Sequence, residues 1–523
     1  MSDAPVVIEE HRTLSRSRLW ALQRQLYTKL GGGAWREGGV PSYITTNAFA
    51  ARGFARVVMG HLRGALAGRN VGPGAGVRIL ELGAGSGRFA FHFLRQFLTM
   101  WRESELADVP VTYVLTDLVE GNVEFCRRHP AFATFVQRDQ LRFATCDTEV
   151  EDDLRKALDL RPAATLQGPL VVLANYVFDA MRQDIFHVEE GRLSEGLVRL
   201  VSQHSALDPD DTNPFASVAL DFKRRDLASS PYSDPVWNQI LEDSHRRIRN
   251  GTLLFPTEAL RCLERLRAIA PDSLLVLAAD EGSHRLEDVR SLEPRVAVYG
   301  TMALPEFPVN FHALGEYAGA HGGQAQFASH QAGGLCLAAL AWDRTGRERA
   351  ATRQAFADAV DLFGPDEFYL TVKSLERTAP MLTCAEMLAY LRLSSWDAKV
   401  LHALLPQLKD RLPSASPAER AAWNDALERV WGMYYHVDGD EGDVAFAVGT
   451  MLMRLGDWKH ATPFFERSRT FWGDDGSTLC NLAVCHARLG DRVAALACVD
   501  HVLKVTPHHE GAARLRRELS PAR

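Results

Sequence analysis

The feature that most restricts the fold is a short apolar run that ends in a glycine-spaced turn: Val77, Arg78, Ile79, Leu80, Glu81 and Leu82, then Gly83, Ala84, Gly85, Ser86 and Gly87. An apolar run of this length bounded by glycine reads as a buried strand. Glycines at alternate positions allow φ > 0 and let the backbone approach a ligand closely. The residues after the turn have helical spacing, and a helix start presents unpaired N–H groups at the positive end of its dipole. The runs Val111–Leu115, Leu141–Ala144, Leu170–Ala174, Leu274–Ala279 and Leu335–Trp342 repeat the strand signal. They are apolar throughout, as in strands covered on both faces. Residues 71–345 are therefore expected to form a Rossmann-like α/β domain with a mostly parallel sheet. One stretch departs from the pattern: residues 183–200 read as a β-hairpin turning at Glu190-Gly191.

Residues 1–70 read as an N-terminal helical extension. Glu10–Leu30 is helical in pattern, Gly31, Gly32 and Gly33 break it, and residues 47–68 form an amphipathic helix with Phe49, Phe54, Val57, Val58 and Leu62 as its apolar positions. Gly72-Pro73-Gly74 separates this helix from the first strand. Beyond residue 346 the strand signal disappears. Arg347–Leu362, Ala385–Leu391, Asp397–Leu412, Pro417–Tyr435 and everything after 443 read as helices. Ser416, Pro417 and Glu419 together mark a helix start, with N-cap, first-turn proline and capping-box acid. Residues 346–440 are expected to be a helical linker domain.

In residues 441–523, Gly456-Asp457-Trp458 and Gly490-Asp491-Arg492 recur 34 residues apart. Leu455 repeats as Leu489, Ala461 as Ala495, Phe465 as Val499 and Gly449 as Ala483, and Pro507 closes the second unit. The period and the small/aromatic pattern match tetratricopeptide repeats. Such repeats either offer a groove to a protein partner or only cap the domain before them. A protein substrate or partner is the expectation.

At 523 residues the chain is too long for one ordinary core. Its net charge is −7 and it has no basic block, which disfavours nucleic acid and anionic membranes as partners. None of the eight cysteines falls in a CxxC pair or in zinc spacing, so reduced thiols in a cytoplasmic protein are expected. No leader pattern and no run of eighteen apolar residues is present. No metal is expected, and His508 and His509 read as a solvated turn.

The turn's spacing narrows its ligand. GxGxG is not the dinucleotide GxGxxG, and the lysine of a phosphate-binding loop is missing. Glu81 would repel a pyrophosphate but suits an ammonium group. S-adenosyl-L-methionine carries such a group beside a carboxylate and a sulfonium. A tight strand–helix turn without ligand is the plain alternative. Asp117, after Val111–Leu115, reads as an acceptor for ribose hydroxyls or as a helix N-cap. Asp147 reads as a partner of the adenine amino group or as a loop carboxylate. Asn175 and Asp179 come after the fourth strand, at the carboxyl end of the sheet where ligands bind, and Asp179 alternatively caps a helix. The cofactor set is thus Glu81, Gly83, Ala84, Gly85, Ser86, Gly87, Asp117, Asp147 and Asn175.

The Glu81–Gly87 pattern resembles the first motif of class I methyltransferases. With Pro41–Asn47, Asn175–Asp179 and Pro308–Leu314 in order, the chain resembles the MidA-type S-adenosylmethionine-dependent methyltransferases over about residues 35 to 345. These include the mitochondrial complex I assembly methyltransferase. The resemblance implies a class I fold, S-adenosylmethionine as donor and a protein arginine substrate. Two departures fall where the acceptor binds: Tyr176 replaces an acid of the family's Asn-Glu-Phe-Phe-Asp, and Asp280-Glu281-Gly282 stands for Asp-Tyr-Gly. Among Glu189, Glu190, Asp280 and Glu281, all available to orient an acceptor, Asp280 is singled out by its place at the expected end of Leu274–Ala279. Asp280, Asn175 and Asp179 are the catalytic candidates, and His312 reads as structural. The expected function is methylation of a protein nitrogen, with the repeats recruiting the protein. An adaptor with a degenerate domain and a small-molecule methyltransferase are the rivals. An oxidoreductase is disfavoured by GxGxG and Glu81.

Overall fold

The computed structural model describes residues 6–31, 43–67, 76–202, 213–299, 302–331, 334–343, 346–437 and 442–520. Gly32, Gly33, Pro41, Ser42 and Gly72–Gly74 lie outside the described residues. The chain divides into two units, Met1–Glu367 and Phe368–Arg523.

The strands of the first unit are, in chain order, β1 (Val6–Thr13), β2 (Val77–Leu82), β3 (Val111–Asp117), β4 (Leu141–Thr145), β5 (Leu170–Asn175), β6 (Asp184–Glu189), β7 (Arg192–Ser202), β8 (Val218–Asp226), β9 (Gly251–Phe255), β10 (Ser273–Ser283), β11 (Arg295–Tyr299), β12 (Met302–Glu306), β13 (Val309–Asn310), β14 (Gln324–Phe327) and β15 (Leu335–Asp343). The main sheet runs β14-β15-β10-β5-β2-β3-β4, with β13 added on β10. Strands β4, β3, β2, β5 and β10 are mutually parallel, and β15 is antiparallel to both β10 and β14. All six apolar runs read as strands are in this sheet. Their side chains alternate between two covered faces. Leu80, Val172 and Val276 pack with Leu260 and Leu263 of the helix Thr257–Ile269. On the other face, Tyr113 meets Phe93 of the helix Arg88–Arg102 at 5.6 Å between ring centroids. The helix Ala48–Leu66 begins at Asn47, whose side chain accepts from Ala50 N. It is buried on most of its surface rather than on one stripe; Phe54, Val57, Val58 and Leu62 are buried and Phe49 only partly so.

A second, antiparallel sheet runs β1-β7-β6-β9, with β8 along the other edge of β7. Its hairpin between β6 and β7 turns at Glu190 (φ 47°) and Gly191 (φ 78°), two consecutive left-handed residues as a two-residue turn of the mirror-image type requires. The helical reading of the N-terminal segment is corrected here: residues 6–13 form β1, paired with β7, and the helix is confined to Leu19–Leu30. The charged residues that suggested a helix are those of an edge strand. Just before them on the same strand, Glu9 is buried and accepts from Ser17 Oγ at 2.5 Å and from Arg18 N at 3.1 Å.

The second unit is helical, fitting the expected all-α region. Pro417–Gly432 starts with the capping box expected at Ser416 and Glu419. Val444–Arg454, Trp458–Trp472, Gly476–Arg488, Arg492–Val505 and Glu510–Leu519 come next. The 34-residue recurrence has a local cause. Gly456 (φ 81°) and Gly490 (φ 87°) each leave a helix in the left-handed conformation, and Asp457 and Asp491 cap the next helix through His460 N and Ala494 N. A Cβ on Gly449 would lie 3.0 Å from the Phe465 ring. In the next unit Ala483 packs in the same cluster as the smaller Val499. His509 accepts from Ala512 N, capping the last helix. No described helix is long and apolar enough to cross a membrane.

Candidate active site

Strand β2 has β3 on one side and β5 on the other, so the chain's order across the sheet reverses between β2 and β5. In open α/β sheets the crevice outside the carboxyl ends of the strands at such a reversal is where ligands bind. The glycine turn leaves β2 and Asn175 ends β5, so both flank this point. Gly83, Gly85 and Gly87 have φ of 63°, 54° and 76°. Gly83 is exposed, and a Cβ there would sit 3.0 Å from Val177 Cγ2. Gly87 is the N-cap of Arg88–Arg102 and supplies no side-chain cap bond.

Glu81 is buried at the end of β2, and its Oε2 has no hydrogen-bond partner among the described residues. Burial pushes its pKa up to about 8; Tyr113 opposes the shift and the Asp117 carboxylate adds to it. Tyr113 faces Glu81, yet its hydroxyl also lacks a partner at bonding geometry. An orphaned buried carboxyl beside a backbone turn fits an incoming ammonium group, which would satisfy the oxygen and favour its ionised form.

Asp117, at the end of β3, braces the turn. Its Oδ2 accepts from Gly85 N at 2.8 Å, and its Oδ1 from Val119 N at 2.8 Å and Asn122 Nδ2 at 3.2 Å. Burial raises its pKa and these donors lower it, with burial the larger influence. Asp147 is held by Arg24 of the N-terminal helix, Nη1 to Oδ2 at 2.5 Å and Nη2 to Oδ1 at 3.3 Å, and it also accepts from Glu149 N at 2.9 Å. Arg24 is 123 positions away in sequence, and no local signal marks it.

Asn175 ends β5 with its Oδ1 buried and, among the described residues, unpartnered. Tyr176 comes next at φ 53°, its N–H donating to Ala279 O at 2.9 Å. Asp179 is partly exposed. Asp280 needs correcting. Strand β10 continues to Ser283, so Asp280 lies inside the strand and is completely buried. It accepts from Val177 N at 3.4 Å and Phe178 N at 3.2 Å through Oδ2 rather than facing an acceptor. Among the described residues its Oδ1 has no hydrogen-bond partner, and the Asp179 carboxyl is its acidic neighbour. Burial and that neighbour raise Asp280 well above the carboxylate range. Glu281 is half-buried, 3.5 Å from Arg295. Glu189 pairs with Arg224 and Glu190 forms the hairpin turn, both exposed and on the second sheet. His312 lies in the helix Phe311–Ala320, behind Asn310, which caps it by accepting from Ala313 N and donates to Leu254 O.

Residues 68–256 match the model of a protein family described as "Putative S-adenosyl-L-methionine-dependent methyltransferase". The chain carries an S-adenosyl-L-methionine-dependent methyltransferase region. The enzyme's cofactor is S-adenosyl-L-methionine. Two crystal structures from Burkholderia thailandensis are also similar to it. An uncharacterized protein in native form is 18% identical, over 61% of this chain and 74% of that one, with a TM-score of 0.37. A member of the same superfamily bound to S-adenosyl-homocysteine is 18% identical, over 61% and 75%, with a TM-score of 0.38. No curated protein matches the chain. The matched segment of the methyltransferase contains β2 to β5 and so the glycine turn, Asp117, Asp147, Asn175 and Asp179. Asp280 lies beyond it.

Proposed function

We propose that the methyltransferase modifies a protein side-chain nitrogen, of arginine or another residue, and that tetratricopeptide-type repeats in residues 441–523 bring the protein to it. The observation that carries the donor half is the unsatisfied Glu81 carboxyl beside three left-handed glycines at the sheet's reversal point. In this reading Glu81 takes the cofactor's ammonium group and the backbone of Gly83–Gly87 receives its amino-acid tail. Asp117 keeps the turn in shape, with capacity left on its carboxylate for a ribose hydroxyl. Asp147 meets the adenine end, its orientation set by Arg24. The cofactor supplies a methyl group already activated by the sulfonium charge, so alignment of the acceptor dominates the protein's contribution.

On the acceptor side, Asn175 Oδ1 is a buried acceptor that an incoming N–H would satisfy. Asp179, a half-buried residue whose carboxyl pKa burial pushes up to about 6, is the group proposed to orient a cationic nitrogen or to take its proton. An arginine acceptor is what the resemblance to MidA-type enzymes implies. The protein half of the proposal rests on the repeated Gly-Asp steps and the Gly449/Phe465 and Ala483/Val499 pairs, the small/large matching of stacked helical repeats. The test is incubation of the full chain with methyl-labelled cofactor and cell lysate. Label in protein bands that is lost when residues 441–523 are removed is the expected result. Label confined to small metabolites would contradict it.

A further inference from the structure

The carboxyl of Asp280 is an expensive group to bury: it has no exposure, lies on a central strand, and has no basic partner among the described residues. What it does hold is backbone. Its Oδ2 accepts from Val177 N and Phe178 N, the two residues after Tyr176, whose φ of 53° is a conformation that a tyrosine rarely adopts. Tyr176 N in turn donates to Ala279 O, the residue before Asp280. The chain leaving β5 is therefore fastened to β10 at three successive N–H groups. That fastening fixes Val177, whose Cγ2 lies against Gly83, the exposed first glycine of the cofactor turn. It also fixes Asn175 and Asp179, which bracket the fastened segment.

We infer that Asp280 is a positioning residue for methyl transfer, locking the segment Asn175–Asp179 against the glycine turn so that the acceptor side and the cofactor cradle keep a fixed separation. The inference rests on the cofactor reading of the Glu81–Gly87 turn. It differs from a purely structural role because the segment it holds carries the groups that face the ligands. Removing the carboxyl releases two N–H groups and lets Val177 move away from Gly83. An asparagine keeps an oxygen for those two N–H groups and nearly the same shape, so it preserves the fastening.

The test uses the full chain with Asp280→Ala, Asp280→Asn and Val177→Ala. Amide hydrogen exchange reads the fastening directly, and calorimetric titration with S-adenosyl-homocysteine reads its consequence. In Asp280→Ala, exchange at Val177 and Phe178 is expected to quicken about tenfold or more and affinity to fall about tenfold. Asp280→Asn is expected to restore both to within about threefold of the parent. A folded Asp280→Ala chain with unchanged exchange and unchanged affinity overturns the inference, as does an asparagine variant no better than alanine. Should the alanine variant fail to fold, Val177→Ala decides: exchange at Phe178 is retained and affinity falls about threefold if the segment positions the turn, and unchanged affinity overturns it. A parent chain that does not bind S-adenosyl-homocysteine counts against the cofactor reading instead, while the exchange data still judge the fastening.

Discussion

Two turns in this molecule use the same residue types and end in opposite states. In the second unit, Gly456-Asp457 and Gly490-Asp491 leave one helix through a left-handed glycine and start the next with a capping aspartate. Their polar groups are satisfied locally; Asp457 also accepts from Asn424 Nδ2 at 3.1 Å. At the end of β2 the glycines are again left-handed, but the helix they introduce has Gly87 as its N-cap and no side chain to cap it. The nearby acid, Glu81, is buried with an unsatisfied oxygen. The first arrangement is complete in itself and stabilises the fold. The second leaves a buried oxygen without a partner among the described residues. A buried carboxyl left open at the reversal point of an open sheet is where we propose that the cofactor binds.

The contrast between the two turns is challenged most severely at Gly85. Gly85→Val puts a β-branched residue at φ 54° and disturbs the N–H that Asp117 accepts. Affinity for S-adenosyl-homocysteine is expected to fall about a hundredfold or more by calorimetry, while the helical circular dichroism of the second unit is retained. An unchanged affinity would show that the turn is as self-contained as those of the repeats. Next is Glu81→Gln, which removes the charge and nearly keeps the shape. About a tenfold loss of affinity is expected, with no loss of thermal stability below neutral pH. A large fall in melting temperature would instead assign Glu81 a structural role. The smallest effect belongs to the satisfied turn. Asp457→Ala is expected to cost the second unit about 1 kcal/mol, seen as a lower melting temperature, with cofactor affinity unchanged. A change in affinity would mean that the two turns are not independent.

Legibility in the residues alone divides along the same physical line. Strands β2, β3, β5, β10 and β15 are covered on both faces and are nearly continuous apolar runs, a signal that few other structures produce. The main sheet and the glycine turn were legible for that reason. The antiparallel sheet was legible only at Glu190-Gly191, where the turn demands special residues. Strand β1, with Glu9, Glu10, His11 and Arg12, and strand β8, with Lys223, Arg224 and Arg225, carry charges on edges and partly exposed faces, and their alternation is weak. In the site, Glu81 and the glycines announce themselves through spacing. Arg24 does not, because its pairing with Asp147 exists only once the N-terminal helix has docked. Asp280 was legible as an acid near a strand end. Its burial was not, since three further residues of β10 place it inside the sheet.

Proton release on binding puts the ligand assignment at Glu81 to trial without an intermediate step. Burial holds Glu81 near 8 in the ligand-free protein, so below that pH it carries a proton, and the ligand-free fold loses stability as pH rises from the ordinary carboxyl range through about 8. An ammonium group beside the carboxyl favours its ionised form, so binding at about pH 6.5 should expel a proton and affinity should climb toward about pH 8. Calorimetric titration of the full chain with S-adenosyl-homocysteine at about pH 6.5, in two buffers of different ionisation heat, measures this. Release of close to one proton by the parent and almost none by Glu81→Gln is the predicted result. Binding without release in the parent, or the same release in both proteins, would contradict it.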